Sequence, residues 1–150
     1  MNSVSQRLAE LGIELPPVAT PVAAYVPAMR SGQLVFTSGQ LPTVDGALPA
    51  TGKVGVEVSQ EDAAEYARIC ALNALAAVHD LVGIDSVVRV VKIVGFVASP
   101  PDFTGQPAVV NGASNFLAEV FGEAHARSAV GVAVLPLNAP VEVELIVEVR

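Results

Sequence analysis

The chain has 150 residues, the size of one ordinary domain, with 52% hydrophobic residues, a mean hydropathy of +0.55 and a formal net charge of −7. No window holds the ~18 uncharged apolar residues of a membrane span, and the start, MNSVSQRLAELG, lacks the basic and apolar regions of a signal peptide, so a cytoplasmic address is expected. Scattered Lys and Arg, 8 against 15 Asp and Glu, disfavour nucleic acid as a partner; the lone Cys70 excludes an internal disulfide, and His79 and His125 have no metal-ligand spacing.

Residues 2–11 read as a short amphipathic helix that stops at Gly12, followed by a proline-rich extended lead-in, IELPPVATPV. AAYVPAMR and LVFTSG are β-prone runs joined by Ser31-Gly32-Gln33, which suits a hairpin; Pro27 marks the first as an edge or bulged strand. Residues 42–58 form a loop with a brief strand at 54–58. Ser59 followed by Asp62 begins a helix that runs to Leu81 or Val82 and stops at Gly83. Its alanines permit close packing, and Cys70 within it reads as a small buried apolar residue, with no cation to activate the thiol.

Val87–Ser99 is the central strand, ended by Pro100-Pro101. A second helix fits 106–121 with Gly122 as its stop, and strands follow at 126–135 and 141–150. One α+β domain is expected over residues 1–150, with two long helices on one face of a mixed sheet. VVRVVKIVGFVAS carries apolar residues on both faces, which predicts a subunit interface beyond the domain's own core.

Alternation sorts the last two strands. Arg127, Ala129, Gly131 and Ala133 share one face; in the last strand Val141, Val143, Leu145, Val147 and Val149 oppose Glu142, Glu144, Ile146 and Glu148. A guanidinium suits bidentate capture of a planar carboxylate, and the small residues beside Arg127 leave room for a ligand. The residues alone favour a structural salt bridge for Arg127 and an ordinary loop position for His125 over a second titratable group at the cleft mouth, and they allow the glutamates a solvated face or a place at a subunit seam.

The strings SGQLP (38–42), VVNGASNFLAEVFGE (109–123), HARSAVGVAVLP (125–136) and VEVELIVEV (141–149) resemble the RidA/YjgF family of reactive-intermediate deaminases, often called L-PSP endoribonucleases. The likeness runs from Tyr25 to Arg150 and leaves residues 1–23 as an N-terminal extension. It implies a chorismate-mutase-like fold assembled as a homotrimer with clefts between subunits. It also implies that Arg127 holds the carboxylate of a 2-imino or 2-enamino acid and that Glu142 activates water. Tyr25, Gly39 and Asn111 would line the pocket, the backbone of Ala129 would touch the ligand, and no cofactor or metal would be needed. Products would be a 2-oxo acid and ammonia. The sequence departs from the family where Pro-Ala-Arg is His125-Ala126-Arg127 and where a frequent cysteine is Ala129. The competing readings are a non-catalytic trimeric module that binds a small carboxylate or a partner, and an endoribonuclease, for which an acidic chain with two separated histidines is poorly equipped.

Overall fold

The computed structural model describes residues 2–18, 21 and 24–150; residues 19, 20 and 22 of the expected lead-in and residue 23 of the first expected strand lie outside the described residues. Helix α1 spans Val4–Glu10. A reciprocal cap starts it: the Ser3 hydroxyl accepts from the Gln6 amide at 3.2 Å, and the Gln6 side chain accepts from the Ser3 amide at 2.9 Å. Ser5 donates through its amide and hydroxyl to Asp85 at 2.8 and 2.7 Å, and Leu8 is buried in the core. Those two bonds hold the Asp85 carboxyl below its usual range.

A hairpin of β1 (Ala28–Ser31) and β2 (Leu34–Thr37) follows, turning at Gly32 with φ 59°. The brief strand expected at 54–58 is absent: Gly52 and Gly55, at φ 115° and 92°, curl the segment so that Val54 and Val58 share only an isolated bridge. Helix α2 (Gln60–Val82) begins as expected, with the Ser59 hydroxyl accepting from the Asp62 amide at 3.1 Å. At its other end the Gly83 amide donates to the His79 carbonyl, and His79 Nδ1 accepts from the Ile84 amide at 3.0 Å.

Strand β3 (Val87–Ala98), helix α3 (Gln106–Phe121) and strand β4 (Ala126–Val132) form a parallel crossover unit, and β5 (Val141–Val149) returns antiparallel beside β3. The sheet order is β1-β2-β5-β3-β4, so β4 is an edge strand. β4 ends three residues before the expected Leu135, because its last partner on β3 is Ala98, facing Val132. Beyond that point there is no ladder to extend.

Both long helices cover one face of the sheet. Val141, Val143, Leu145, Val147 and Val149 point into them and are buried, as are Val90, Ile93 and Val97 of β3. α2 and α3 touch closely along small residues: a Cβ on Gly112 would overlap the Ala64 carbonyl. Gly95 of β3 is kept bare by α3 in the same way, since a Cβ there would lie 2.5 Å from Val110 Cγ2. Cys70 is fully buried with its thiol 3.8 Å from the Val141 carbonyl, and burial, then the Glu142 charge, raises its pKa well above the usual thiol value.

Among the described residues no helix lies on the opposite face. Met29 and Phe36, paired across the hairpin, and Val130 of β4 lie on it with 60%, 42% and 40% of their surface exposed. A small second core of Ala98, Leu135 and Ala139, with Phe96, Val132, Leu41 and Leu48 against it, closes only one end of that face.

Candidate active site

Strand register decides which candidate residues meet. Arg127 stands level with Ile93 on β3 and, through it, with Leu145 on β5, so it belongs to the helix-covered face. Glu142 stands level with Phe96, which pairs in turn with Val130, so it belongs to the open face. Within one chain the two candidates therefore sit on opposite faces of the sheet and two strands apart.

Around Arg127 the partners all come from α3. Nη1 donates to Asn111 Oδ1 at 2.8 Å and to Ser114 Oγ at 3.2 Å; Nη2 donates to the Pro107 carbonyl at 3.3 Å. Residues 107, 111 and 114 recur at helical spacing and so share the face of α3 turned to β4. A salt bridge was one reading of this arginine; among the described residues it forms none, and every acceptor it uses is neutral. A guanidinium has five N–H donors. Three are committed to α3, which leaves Nε–H and one Nη2–H without a partner among the described residues. Ala129 and Gly131 continue the same row along β4, as the alternation predicted.

His125 adjoins this group: its Nε2 is 3.0 Å from Ser114 Oγ. Burial, and then the Arg127 charge, lowers its pKa. Ser114 was not singled out in the sequence. Its signal was present, three residues after Asn111 and hence on the same helical face.

Around Glu142 the partners come from the segment after β2. The Ser38 amide and hydroxyl donate to the Pro27 and Val26 carbonyls at 2.8 and 2.6 Å, and Gln40 exchanges backbone bonds with Val143 at 2.9 and 3.1 Å. These ties lay Gly39 against Glu142: a Cβ at Gly39 would stand 2.8 Å from Glu142 Cδ and 2.9 Å from Oε1. Tyr25, 50% exposed, is carried beside this segment by the neighbouring Val26. Glu142 is half-buried and has no ion pair among the described residues; burial, and then the like charge of Glu144, raises its pKa. Glu148, on the same face, is instead paired with Arg89 at 2.8 Å, which in turn holds Glu123 at 3.0 Å.

Five of the expected residues thus fall into two clusters, Arg127, Asn111 and Ala129 at the α3–β4 edge and Glu142 and Gly39 at β5 and the segment paired with it; Tyr25 is exposed next to Val26 and joins neither through a hydrogen bond among the described residues. Among the described residues no group of three His, Cys, Asp or Glu could hold a metal ion, and no helix is long and apolar enough to cross a membrane.

The family model described as Endoribonuclease L-PSP matches residues 17–149. The chain belongs to this family, the RidA/YjgF family. Its fold is that of solved members. The chain is 46% identical to the protein Atu1372 of Agrobacterium tumefaciens, described as of unknown function, covering 98% of this chain and 92% of that one with a TM-score of 0.90. For a protein of Shewanella oneidensis the values are 32%, 99%, 100% and 0.93. TdcF of E. coli, solved with bound serine, is 28% identical over 91% of this chain and 94% of its own, with a TM-score of 0.65. The first two share nearly the full length of this chain, N-terminal helix included.

Proposed function

We propose that the chain is a hydrolase that converts 2-imino or 2-enamino acids to 2-oxo acids and ammonia, at a cleft completed between two copies. The observation that carries this reading is Glu142: a half-buried carboxylate on the helix-free face, with no ion pair among the described residues and a glycine in place of a side chain against it. A buried carboxylate without a partner costs stability, and a raised pKa brings it nearer the operating pH of a general acid/base group.

The chemistry needs little more. In the imine R–C(=NH)–COO⁻ the carbon is already electrophilic. Water adds to it as Glu142 takes one water proton and passes it to nitrogen, giving the carbinolamine R–C(OH)(NH2)–COO⁻. Glu142 then carries the hydroxyl proton to the amino nitrogen, and C=O forms as the C–N bond breaks to leave R–CO–COO⁻ and ammonia. The free Nε–H and Nη2–H of Arg127 would hold the carboxylate. The room expected beside it at Ala129 and Gly131 is taken, since Ala129 packs against the core and a Cβ at Gly131 would stand 2.8 Å from Gln106 Nε2, so the rest of the ligand would extend away from α3. TdcF binds serine, which carries a carboxylate next to a nitrogen-bearing carbon, and this supports the same ligand class here.

Since Arg127 and Glu142 lie on opposite faces, one copy supplies each. The uncovered face with Met29, Phe36 and Val130 favours association, and the two clusters are different patches, which suits a head-to-tail ring. The ring proposed here is a homotrimer, the assembly that the family resemblance implies. An endoribonuclease reading finds less support: His79 serves the end of α2, and His125 is bound to Ser114.

The test generates 2-aminoacrylate or 2-iminobutanoate in situ and follows 2-oxo acid release by wild type, Arg127→Ala and Glu142→Gln. Wild type should accelerate release over buffer, Arg127→Ala should lose affinity, and Glu142→Gln should lose roughly 10²–10⁴-fold in kcat. No acceleration by wild type sinks the deaminase reading for those substrates. Carboxylate binding lost in Arg127→Ala, kept in Glu142→Gln and never followed by turnover would make the chain a binding module. A monomeric size in solution would remove the shared cleft.

A further inference from the structure

His125 stands immediately before β4, two residues from Arg127, and what it touches is the hydroxyl that also holds Arg127. Ser114 Oγ accepts from Arg127 Nη1 at 3.2 Å and lies 3.0 Å from His125 Nε2. The other ring nitrogen, Nδ1, is buried and has no hydrogen-bond partner among the described residues. Buried side-chain polar atoms nearly always find one. A histidine that only filled the turn after α3 would have no need of a buried nitrogen left unpaired beside a cation. One that is needed for its other nitrogen would tolerate it.

The proton count narrows the arrangement. A serine hydroxyl has one hydrogen and two lone pairs, and Arg127 takes one lone pair. If Nδ1 carried the imidazole hydrogen, a buried donor would be orphaned, the rarer and costlier case. If Nε2 carries it, Nε2–H donates to the second lone pair of Ser114, and only an acceptor is left unpaired at Nδ1. Ser114 then accepts from both neighbours, and its lone pairs fix the distance between the imidazole and the guanidinium. With Asn111 Oδ1 on the other hydrogen of Nη1, that nitrogen cannot turn. Burial, and then the Arg127 charge, lowers the ring's pKa, the direction this pattern requires.

We propose that His125 is a positioning residue, acting through Ser114 to lock the Arg127 guanidinium against α3 with Nε–H and one Nη2–H free for a carboxylate. The lock is a statement about Arg127 itself; its consequence for catalysis rests on the function proposed above.

Two measurements test it. The first needs no substrate: nitrogen-15 NMR of the Arg127 guanidinium at low temperature. Wild type should show separate, slowly exchanging Nη1 hydrogens; His125→Leu and Ser114→Ala should collapse them, and His125→Gln, whose amide can reach Ser114, should restore part of the separation. The second is kinetic. His125→Leu and Ser114→Ala should each raise KM about tenfold while kcat changes far less, and the double variant should be no worse than either single one. His125→Gln should recover most of the lost KM. A purely structural histidine would lower the melting temperature and leave the Arg127 signals and the KM of the folded fraction alone. Arg127 signals identical in wild type and His125→Leu would overturn the proposal. Wild type without turnover, but with a lock that collapses in His125→Leu, would overturn the deaminase reading and leave this one standing.

Discussion

Gly39→Ala isolates the placement of Glu142 without touching a charged group. The new Cβ would stand 2.8 Å from Glu142 Cδ and 2.9 Å from Oε1. Carbon atoms rest about 3.5–4.0 Å apart, so the carboxylate must retreat by roughly 1 Å. The atoms in the way are the far end of a flexible side chain, which can turn off its rotamer for about 1 kcal/mol. Gly39 has no positive φ that an alanine would strain. Stability should therefore fall by about 1 kcal/mol, a shift of about 2–4 °C in melting temperature for a domain of this size. A general base displaced by about 1 Å should lose roughly 100-fold in kcat. Steady-state release of 2-oxo acid, with thermal unfolding on the same samples, reads both. In a Glu142→Gln background the same substitution should cost little further activity, because the group it displaces no longer acts. A Gly39→Ala protein with full kcat, while Glu142→Gln is inactive, would refute the placement of Glu142 as the base.

Arg127→Lys keeps the charge and loses the fork, so kcat/KM should fall about 100-fold, mostly through KM, in the same assay. Glu142 has a folded pKa above its unfolded one, so its ionisation opposes folding: below the unfolded value both states are protonated, and stability is lost as pH rises through the folded value. Glu142→Gln should consequently gain stability over wild type in urea unfolding at pH 8 and show no gain at pH 4; equal behaviour at both would contradict the burial argument. Gly112→Ala meets the Ala64 backbone, which cannot rotate away, and should cost about 3 kcal/mol in the same unfolding experiment. A neutral Gly112→Ala would mean that α2 and α3 are less closely packed than described.

Local signals were enough wherever a residue's own neighbours set its conformation. Ser59 and Asp62 announced α2, Gly122 ended α3 at φ 75°, and strict alternation from Val141 to Val149 assigned each side chain of β5 to its face. What escaped depended on partners far along the chain. The length of β4 is dictated by where β3 runs out at Ala98, and the valines at 54 and 58 were bent out of a strand by glycines at positive φ. The site divides in the same way. Alternation placed Ala129 and Gly131 with Arg127, and the family blocks supplied Glu142, but neither discloses that the two charged residues face apart, because that needs the register of β4 against β3 and of β3 against β5. Ser114 was missed because a serine in mid-helix has no distinction until Arg127 and His125 are seen to share it.

The separation of Arg127 and Glu142 on two faces makes the proposed cleft genetically divisible. A chain that has lost its arginine still carries a sound glutamate, and the reverse holds for a chain that has lost its glutamate. Arg127→Ala and Glu142→Gln proteins, each inactive alone, should complement one another when unfolded together and reassembled. In a head-to-tail ring filled at random from equal amounts, about one quarter of the clefts would receive an intact residue from each side. Activity near that fraction after mixing, and none when preformed rings are mixed without exchange, would identify the catalytic unit as the junction between chains.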